Sequence, residues 1–180
     1  MARLDLRDYI RGIPDFPTPG ILFRDITPLL KSPDAFSRAI DLFANRYRDA
    51  RIDAIAGIES RGFLFATPLS HELGVPMVPV RKKGKLPAQT YSVAYDLEYG
   101  SDAVEMHVDA ISAGDQVLVL DDLLATGGTL AATTRLISLC GGEVAGVAVV
   151  VELTGEGLAL EMSGTATLTV GGLRGCVTVG

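Results

Sequence analysis

The sequence predicts an α/β fold, a central and mostly parallel sheet flanked by helices, on three observations. The apolar runs Val117–Leu120 and Val144–Val151 are continuous rather than alternating, as strands covered on both faces are. Segments with apolar residues at helical spacing stand between such runs, so strand and helix alternate along the chain. At one junction, Asp121 to Thr129, a strand meets two carboxylates and then a glycine- and threonine-rich turn, the place where open α/β sheets bind ligands.

Taken in order, Pro14 to Arg24 sets prolines and glycines among Phe16, Leu22 and Phe23, and reads as rigid irregular chain able to lie over a cleft. Asp34 to Arg48 is a helix with the stripe Phe36, Ile40, Phe43 and Tyr47, and Ser32 or Asp34 can cap its start near Pro33. Ile52 to Gly57 is the first buried strand. Phe63 to Leu73 is a helix ending at Gly74, and Val75 to Val80 is the next strand, whose Pro76 and Pro79 point to its ends or to a sheet edge. A long excursion follows, residues 82–113. Its period-two pattern, Tyr91, Val93, Tyr95, Leu97 and Tyr99, then Val104, Met106 and Val108, predicts a projecting hairpin, and such an insertion in a compact domain is a candidate active-site lid. Val117 to Leu120 is a strand ending at Asp121, Leu130 to Cys140 a helix stopped by Gly141-Gly142, and Val144 to Val151 a further strand. The strands and helices form right-handed β-α-β units. The tail, 153–180, is rich in glycine, threonine and small apolar residues and is expected to add late strands.

The chain has 180 residues, which suits a single domain, 1–180, with a full core and no staples. Cys140 and Cys176 are too far apart in sequence for a zinc pattern and suit a reducing, cytoplasmic setting. The N-terminus lacks the apolar segment of a signal peptide, and the longest apolar run is too short for a bilayer, so no membrane partner is expected. A net charge of −6 argues against a nucleic-acid partner. Positive charge is concentrated in Arg81, Lys82, Lys83 and Lys85, which Gly84 and Pro87 mark as a loop. Alone, this run is equally a solvated face.

The Asp121–Thr129 junction carries specific chemistry. Thr126, Gly127, Gly128 and Thr129 precede a helix, where free N–H groups and the positive end of the helix dipole face an anion and glycine lets a phosphate come close. Asp121 and Asp122 are wrong for phosphate but right for a vicinal diol, since each carboxylate accepts hydrogen bonds from hydroxyls. Together they read as a ribose 5-phosphate site. A P-loop would need a lysine after the glycines, and a dinucleotide fingerprint would place its acid about twenty residues later. The plainer alternative is an ordinary strand-turn-helix.

Val117–Thr129 resembles the phosphoribosyl pyrophosphate (PRPP) motif of the type I phosphoribosyltransferases. Further segments, in matching order, resemble the adenine-specific members: Pro14–Gly20, Leu22–Ile26, Glu59–Phe63, Arg81–Pro87 and Leu97–Gly100. The resemblance covers nearly the whole chain. It implies the type I phosphoribosyltransferase fold with an N-terminal hood over residues 1–30 and a lid hairpin over 82–113. It also implies a purine salvage reaction, adenine plus PRPP giving AMP and pyrophosphate, with Mg2+ carried mainly by PRPP and no dedicated metal cage. By the same resemblance Asp121, Asp122, Ala125, Thr126, Gly127, Gly128 and Thr129 hold the ribose 5-phosphate. Ser60, Arg61, Arg81 and Lys85 hold pyrophosphate, at a turn with a non-proline cis peptide between Glu59 and Ser60. Leu22, Phe23 and Arg24 hold adenine, Glu98 serves as general base at N9, and the enzyme is a homodimer. Without the resemblance, Arg61 is as well read as paired with Glu59 or a surface acid, Phe23 as core and Glu98 as a solvated strand residue. Transfer to another base, such as xanthine, hypoxanthine or orotate, would use the same PRPP motif. A PRPP-sensing regulator would be expected to add a basic DNA-binding module.

Overall fold

The structure, a computed structural model, describes residues 4–96, 100–152 and the backbone of 167–169. After a single 3-10 turn, Leu6–Tyr9, two short strands pair antiparallel, β1 (Arg11–Pro14) with β2 (Leu22–Asp25). The irregular chain expected over 14–24 is therefore partly a ribbon. Pro17 and Pro19 fall in its connection, where they block no ladder bond. Asp15 Oδ1 accepts from Gly20 N–H at 2.7 Å across that connection, and Arg11 Nη2 pairs with Asp25 Oδ2 at 2.6 Å across the two strands.

Helices α1 (Thr27–Lys31) and α2 (Pro33–Tyr47) follow. Ser32 caps α2, its Oγ accepting from Ala35 N–H at 3.3 Å, and Pro33 occupies the first turn, where its missing N–H is not needed. The seven-stranded sheet is built from β3 (Ala54–Ile58), β4 (Met77–Lys82), β5 (Thr90–Asp96), β6 (Ser101–His107), β7 (Gln116–Leu124), β8 (Glu143–Glu152) and β9 (Thr167–Thr169), in the order β5-β6-β4-β3-β7-β8-β9. From β4 to β9 neighbours run parallel, and β6 is antiparallel to β4 and β5. Helix α3 (Phe63–Leu73) joins β3 to β4 and ends at Gly74 in the left-handed conformation; α4 (Gly128–Leu139) joins β7 to β8.

Alternation along the central strands divides the core in two. Ile55, Leu118, Leu120, Ala148 and Val150 face α2 and α3, packing on Phe43, Phe65 and Leu69. Ala54, Ala56, Ile58, Val117, Val119, Val147 and Val149 face the other side, packing on Leu130, Leu136 and Ile137 of α4. Burial on both faces is why these strands read as unbroken apolar runs.

Three expectations are corrected. Strand β4 is internal, not an edge. Pro76 precedes it, and Pro79 is tolerated inside it because pairing with β6 starts only at Arg81, so the side on which Pro79 lacks a donor has no partner there. The hairpin β5–β6 does not simply project: Arg81 and Lys82 pair with Glu105 and Val104, so it continues the main sheet. Strand β7 does not end at Asp121. It pairs with β3 only as far as Leu120 but with β8 through Leu124, so it overhangs its neighbour and carries both carboxylates within a paired strand. That overhang makes the cleft.

Candidate active site

Where β7 runs on, β3 stops at Ile58 and turns through Glu59, Ser60, Arg61 and Gly62 into α3, with a cis peptide between Glu59 and Ser60. The turn is tight against the sheet. A Cβ on Gly62 would lie 2.6 Å from the Ile58 carbonyl oxygen and 2.7 Å from that of Leu120, so only glycine fits. Between this turn and the overhang lies a cavity of about 590 Å³, lined by Glu59, Ser60, Arg61, Lys82, Lys85, Tyr95, Asp121, Asp122 and Thr129 among others.

Asp122 is 4% exposed, and its Oδ2 is 2.8 Å from Arg61 Nε, an ion pair that lacks hydrogen-bond angles and leaves this oxygen without a hydrogen bond among the described residues. Asp121 Oδ1 accepts from the Asp122 N–H at 2.8 Å. Burial, and then the neighbouring Asp122 charge, push Asp121 up to about 8. Burial also raises Asp122, against the pull of Arg61. Two adjacent carboxylates with one cation cannot both ionise cheaply, so the pair holds on to a proton more firmly than a lone carboxylate would. Glu59 goes the other way. Burial alone would raise it, but hydrogen bonds from Arg81, Lys85 and the Lys82 N–H outweigh burial and hold it down to about 2.

The remaining cations are paired as well. Lys85 Nζ is 2.9 Å from Glu59 Oε1, Arg81 Nη2 is 3.2 Å from the same oxygen, and Lys82 Nζ is 2.9 Å from Asp102 Oδ2. Arg61 meets Asp122 and not Glu59, the acid that its sequence neighbourhood offered.

Beyond β7, Gly127 has φ 76° and caps α4, whose first turn presents N–H groups without intrahelical partners. The hairpin leans on this end of the helix: a Cβ on Gly128 would come 3.2 Å from the Tyr95 ring and 3.3 Å from the Asp96 carbonyl oxygen. From the ribbon, Phe23 lies against Arg61, its ring centroid 5.3 Å from the guanidinium, and Phe16 packs edge-on against Phe23 at 5.1 Å.

The fold thus brings Ser60, Arg61, Lys85, Asp121, Asp122 and Thr129 to one cavity, with Arg81 behind Glu59 and Phe23 against Arg61. Ala125, Thr126, Gly127 and Gly128 form the turn leading to Thr129 and do not line that cavity. Leu22, 47% exposed, Phe23 and Arg24 also lie outside its lining; alternation along β2 sends Leu22 and Arg24 to the face opposite Phe23, whose ring meets Arg61. Glu98 lies outside the described residues. Three cavity-lining residues were given no site role from the sequence: Glu59, Lys82 and Tyr95. The first could have been, by the reasoning that drew attention to Asp121, a carboxylate at a buried strand end. Tyr95 stood in the period-two pattern of the hairpin, but its place against the start of α4 is a long-range contact that leaves no local signal.

A sheet in this order, with a glycine-rich helix start, strand-end acids and facing cations, is the arrangement of a phosphoribosyltransferase. The phosphoribosyl transferase domain family matches residues 25–163. The chain belongs to this family, in the group of the adenine phosphoribosyltransferases. It is 57% identical over 154 residues to the adenine phosphoribosyltransferase of Chloroflexus aurantiacus, covering 86% of this chain and 89% of that one. The crystal structure of the enzyme from Thermoanaerobacter pseudethanolicus superposes with a TM-score of 0.88 at 46% identity, over 92% of this chain and 96% of that one. That of the Saccharomyces cerevisiae enzyme, complexed with an imino-altritol bisphosphate and adenine, gives a TM-score of 0.79 at 41% identity, over 82% and 86%.

Proposed function

We propose that this chain is a purine salvage enzyme that transfers the 5-phosphoribosyl group of PRPP to N9 of adenine, giving AMP and pyrophosphate. The observation that carries the reading is the overhang of β7. It brings Asp121 and Asp122 into one cavity with Arg61 and Lys85, in a chain that belongs to this family.

In this reading the ribose 5-phosphate lies at the start of α4. Thr126, Gly127, Gly128 and Thr129, with the Ala125 backbone, receive the phosphate through N–H groups and hydroxyls. Asp121 and Asp122 accept from the ribose 2- and 3-hydroxyls, and binding there offers Asp122 the hydrogen bonds it lacks. Ser60, Arg61, Arg81 and Lys85 take the pyrophosphate, whose departure leaves carbon 1 of the ribose oxocarbenium-like while N9 attacks from the opposite face. Stabilising the leaving charge and fixing both reactants is the main catalytic contribution. Phe23, already against Arg61, is the apolar wall of the adenine pocket, with Leu22 and Arg24 contributing through the β2 backbone. Glu98 accepts the N9 proton, and the strands on either side of it, β5 and β6, bound the cleft at Tyr95 and Val104. Residues 1–30 act as the hood and 82–113 as the lid of a single domain.

Among the described residues no cluster of three or more His, Cys, Asp or Glu side chains could cage a metal ion. Mg2+, an ion that retains water and takes substrate phosphates, would be carried mainly by PRPP, with the oxygens of Asp121 and Asp122 as the carboxylates on the overhang that it would meet. Bound on PRPP, it would offset charge on the leaving pyrophosphate. Cytoplasmic location and homodimerisation are part of the proposal by family likeness; among the described residues no helix is long and apolar enough to cross a membrane.

The test is a spectrophotometric assay with PRPP and Mg2+ against adenine, hypoxanthine, xanthine and orotate. Adenine is expected to be consumed with a kcat/KM at least ~100-fold above the other bases, the discrimination that buried polar contacts to a base provide. Preference for another base would overturn the assignment.

A further inference from the structure

Every cation that lines the cavity is already paired: Arg61 with Asp122, Lys82 with Asp102, and Lys85 with Glu59. Two of these acids have other duties. Asp122 stands with Asp121 on the overhang, and Asp102 also meets the Tyr95 hydroxyl at 3.4 Å within the hairpin. Glu59 is different. It is a carboxylate, one-tenth exposed, at the edge of a cleft that the proposed function assigns to a polyanion. Four donors converge on it: Lys85 Nζ at 2.9 Å and Arg81 Nη2 at 3.2 Å on Oε1, Arg81 Nε at 3.2 Å and the Lys82 N–H at 3.0 Å on Oε2. These are the kinds of donor that a phosphate oxygen takes.

We infer that Glu59 is a resident counter-anion, which holds Lys85 and Arg81 neutralised in the empty cleft and weakens the grip of the cleft on pyrophosphate so that this product leaves. The inference rests on the proposed pyrophosphate site. Lys85 has three N–H donors and Glu59 uses one, so a ligand oxygen can share the same ammonium. That oxygen then stands on the far side of a single Nζ from a partly buried carboxylate, where like-charge repulsion is little screened. Arg81 Nη1, meanwhile, donates to the Lys85 carbonyl at 3.0 Å, so the loop keeps its shape when a ligand arrives. Glu59 reaches no reacting atom in this scheme. It is a positioning residue that acts through Lys85 and Arg81, and its effect falls on product release.

Glu59→Gln separates this role from a merely structural one, because the amide retains an acceptor for the loop while losing the charge. Titration calorimetry of inorganic pyrophosphate into the whole protein is expected to show about ten-fold tighter binding by the variant, the size of one charged contact. Steady-state kcat should fall while single-turnover chemistry stays within about two-fold of the parent, since release and not bond breaking is slowed. Equal or weaker pyrophosphate binding by a folded variant overturns the inference. If the variant does not fold alone, millimolar pyrophosphate is expected to restore a cooperative thermal transition by supplying the missing negative charge, and a chain that stays unfolded with it overturns the inference too. A parent protein that binds no pyrophosphate would bring down the site assignment itself, a result distinct from either.

Discussion

Two strand-to-helix turns face each other across the cleft, Glu59–Gly62 after β3 and Asp121–Thr129 after β7, and their sequences look alike. Each begins with an acid at or just past the end of a buried strand's pairing with its neighbour, passes through a hydroxyl residue and reaches glycine before a helix. Physically they are opposites. Gly62 has φ −59° and is required because two backbone carbonyls crowd it; Gly127 has φ 76° and is required by its conformation. Glu59 is met by two cationic side chains and an N–H and is held down to about 2, whereas Asp121 is buried beside another acid and is pushed up to about 8. The first turn has its charges satisfied and is fastened to the sheet. The second leaves a carboxylate oxygen and a helix start unsatisfied, as a substrate site does before substrate arrives.

The sharpest way to break this contrast is to empty the second turn. Asp121 and Asp122 replaced together by alanine should leave the fold intact and weaken PRPP binding by about 100-fold or more, since each charged hydrogen bond to the diol is worth ~1.5–3 kcal/mol. Equilibrium binding of PRPP, with circular dichroism to establish folding, checks this. Unchanged affinity would remove the ribose from the overhang.

Gly62→Ala addresses the first turn, and its effect belongs to stability. The added carbon meets backbone at 2.6 to 2.9 Å, that of Ile58 at the end of β3 and of Leu120 within β7, which sheet pairing holds from moving aside easily. A loss of about 3 kcal/mol is expected, the upper range for overpacking. Urea denaturation measures it, and a variant as stable as its parent would show that the close approach of α3 to β3 and β7 is not what fixes this glycine.

How far these differences could be seen beforehand depends on range. The strands and helices of the core were legible because burial on both faces writes continuous apolar runs, as in Val117–Leu120, and helical spacing writes stripes, as in α2. The phosphate turn was legible because its glycines, hydroxyls and acids are contiguous. Pairing distances were not legible. Nothing near Asp121 signals that β8 is long enough to hold β7 straight past it, and nothing near Arg61 tells that its partner is Asp122 and not the adjacent Glu59. The ribbon β1–β2 was misread for the same reason, since its ladder joins Arg11 to Asp25 across a proline-rich stretch. The adenine contacts attached to Leu22, Phe23 and Arg24 were carried by likeness alone, and none of the three is among the residues that line the cavity, though Phe23 lies against Arg61.

Gly127→Val should be intermediate and should divide its effect. A branched residue at φ 76° costs about 1–2 kcal/mol of stability, and the same side chain obstructs approach of the 5-phosphate. Affinity for PRPP is expected to fall about ten-fold, more than the shift in thermal midpoint accounts for. If binding is normal while stability drops, the second turn resembles the first after all, and its glycine is a structural one.

The smallest effect is in the pH dependence of stability, where the two turns should pull in opposite directions. Asp121 rises from the ordinary value of 3.8 to about 8 on folding, so between those values the folded chain holds a proton that the unfolded chain has lost, and stability contributed there declines as pH rises toward 8. Glu59 falls from 4.5 to about 2, so its contribution is present above the ordinary value and is lost only as pH drops toward 2. From pH 5 to 8, then, Glu59 contributes no slope and Asp121 contributes a downward one. Asp121→Asn removes the titration while keeping the shape, and its thermal midpoint should vary less over that interval than that of the parent, by a few degrees. Arg61 beside Asp122 is unchanged by the substitution, so the comparison reports the titration of the Asp121–Asp122 pair. Parallel curves for parent and variant would mean that Asp121 is ionised in the empty cleft, and the opposition between the two turns would then rest on their glycines alone.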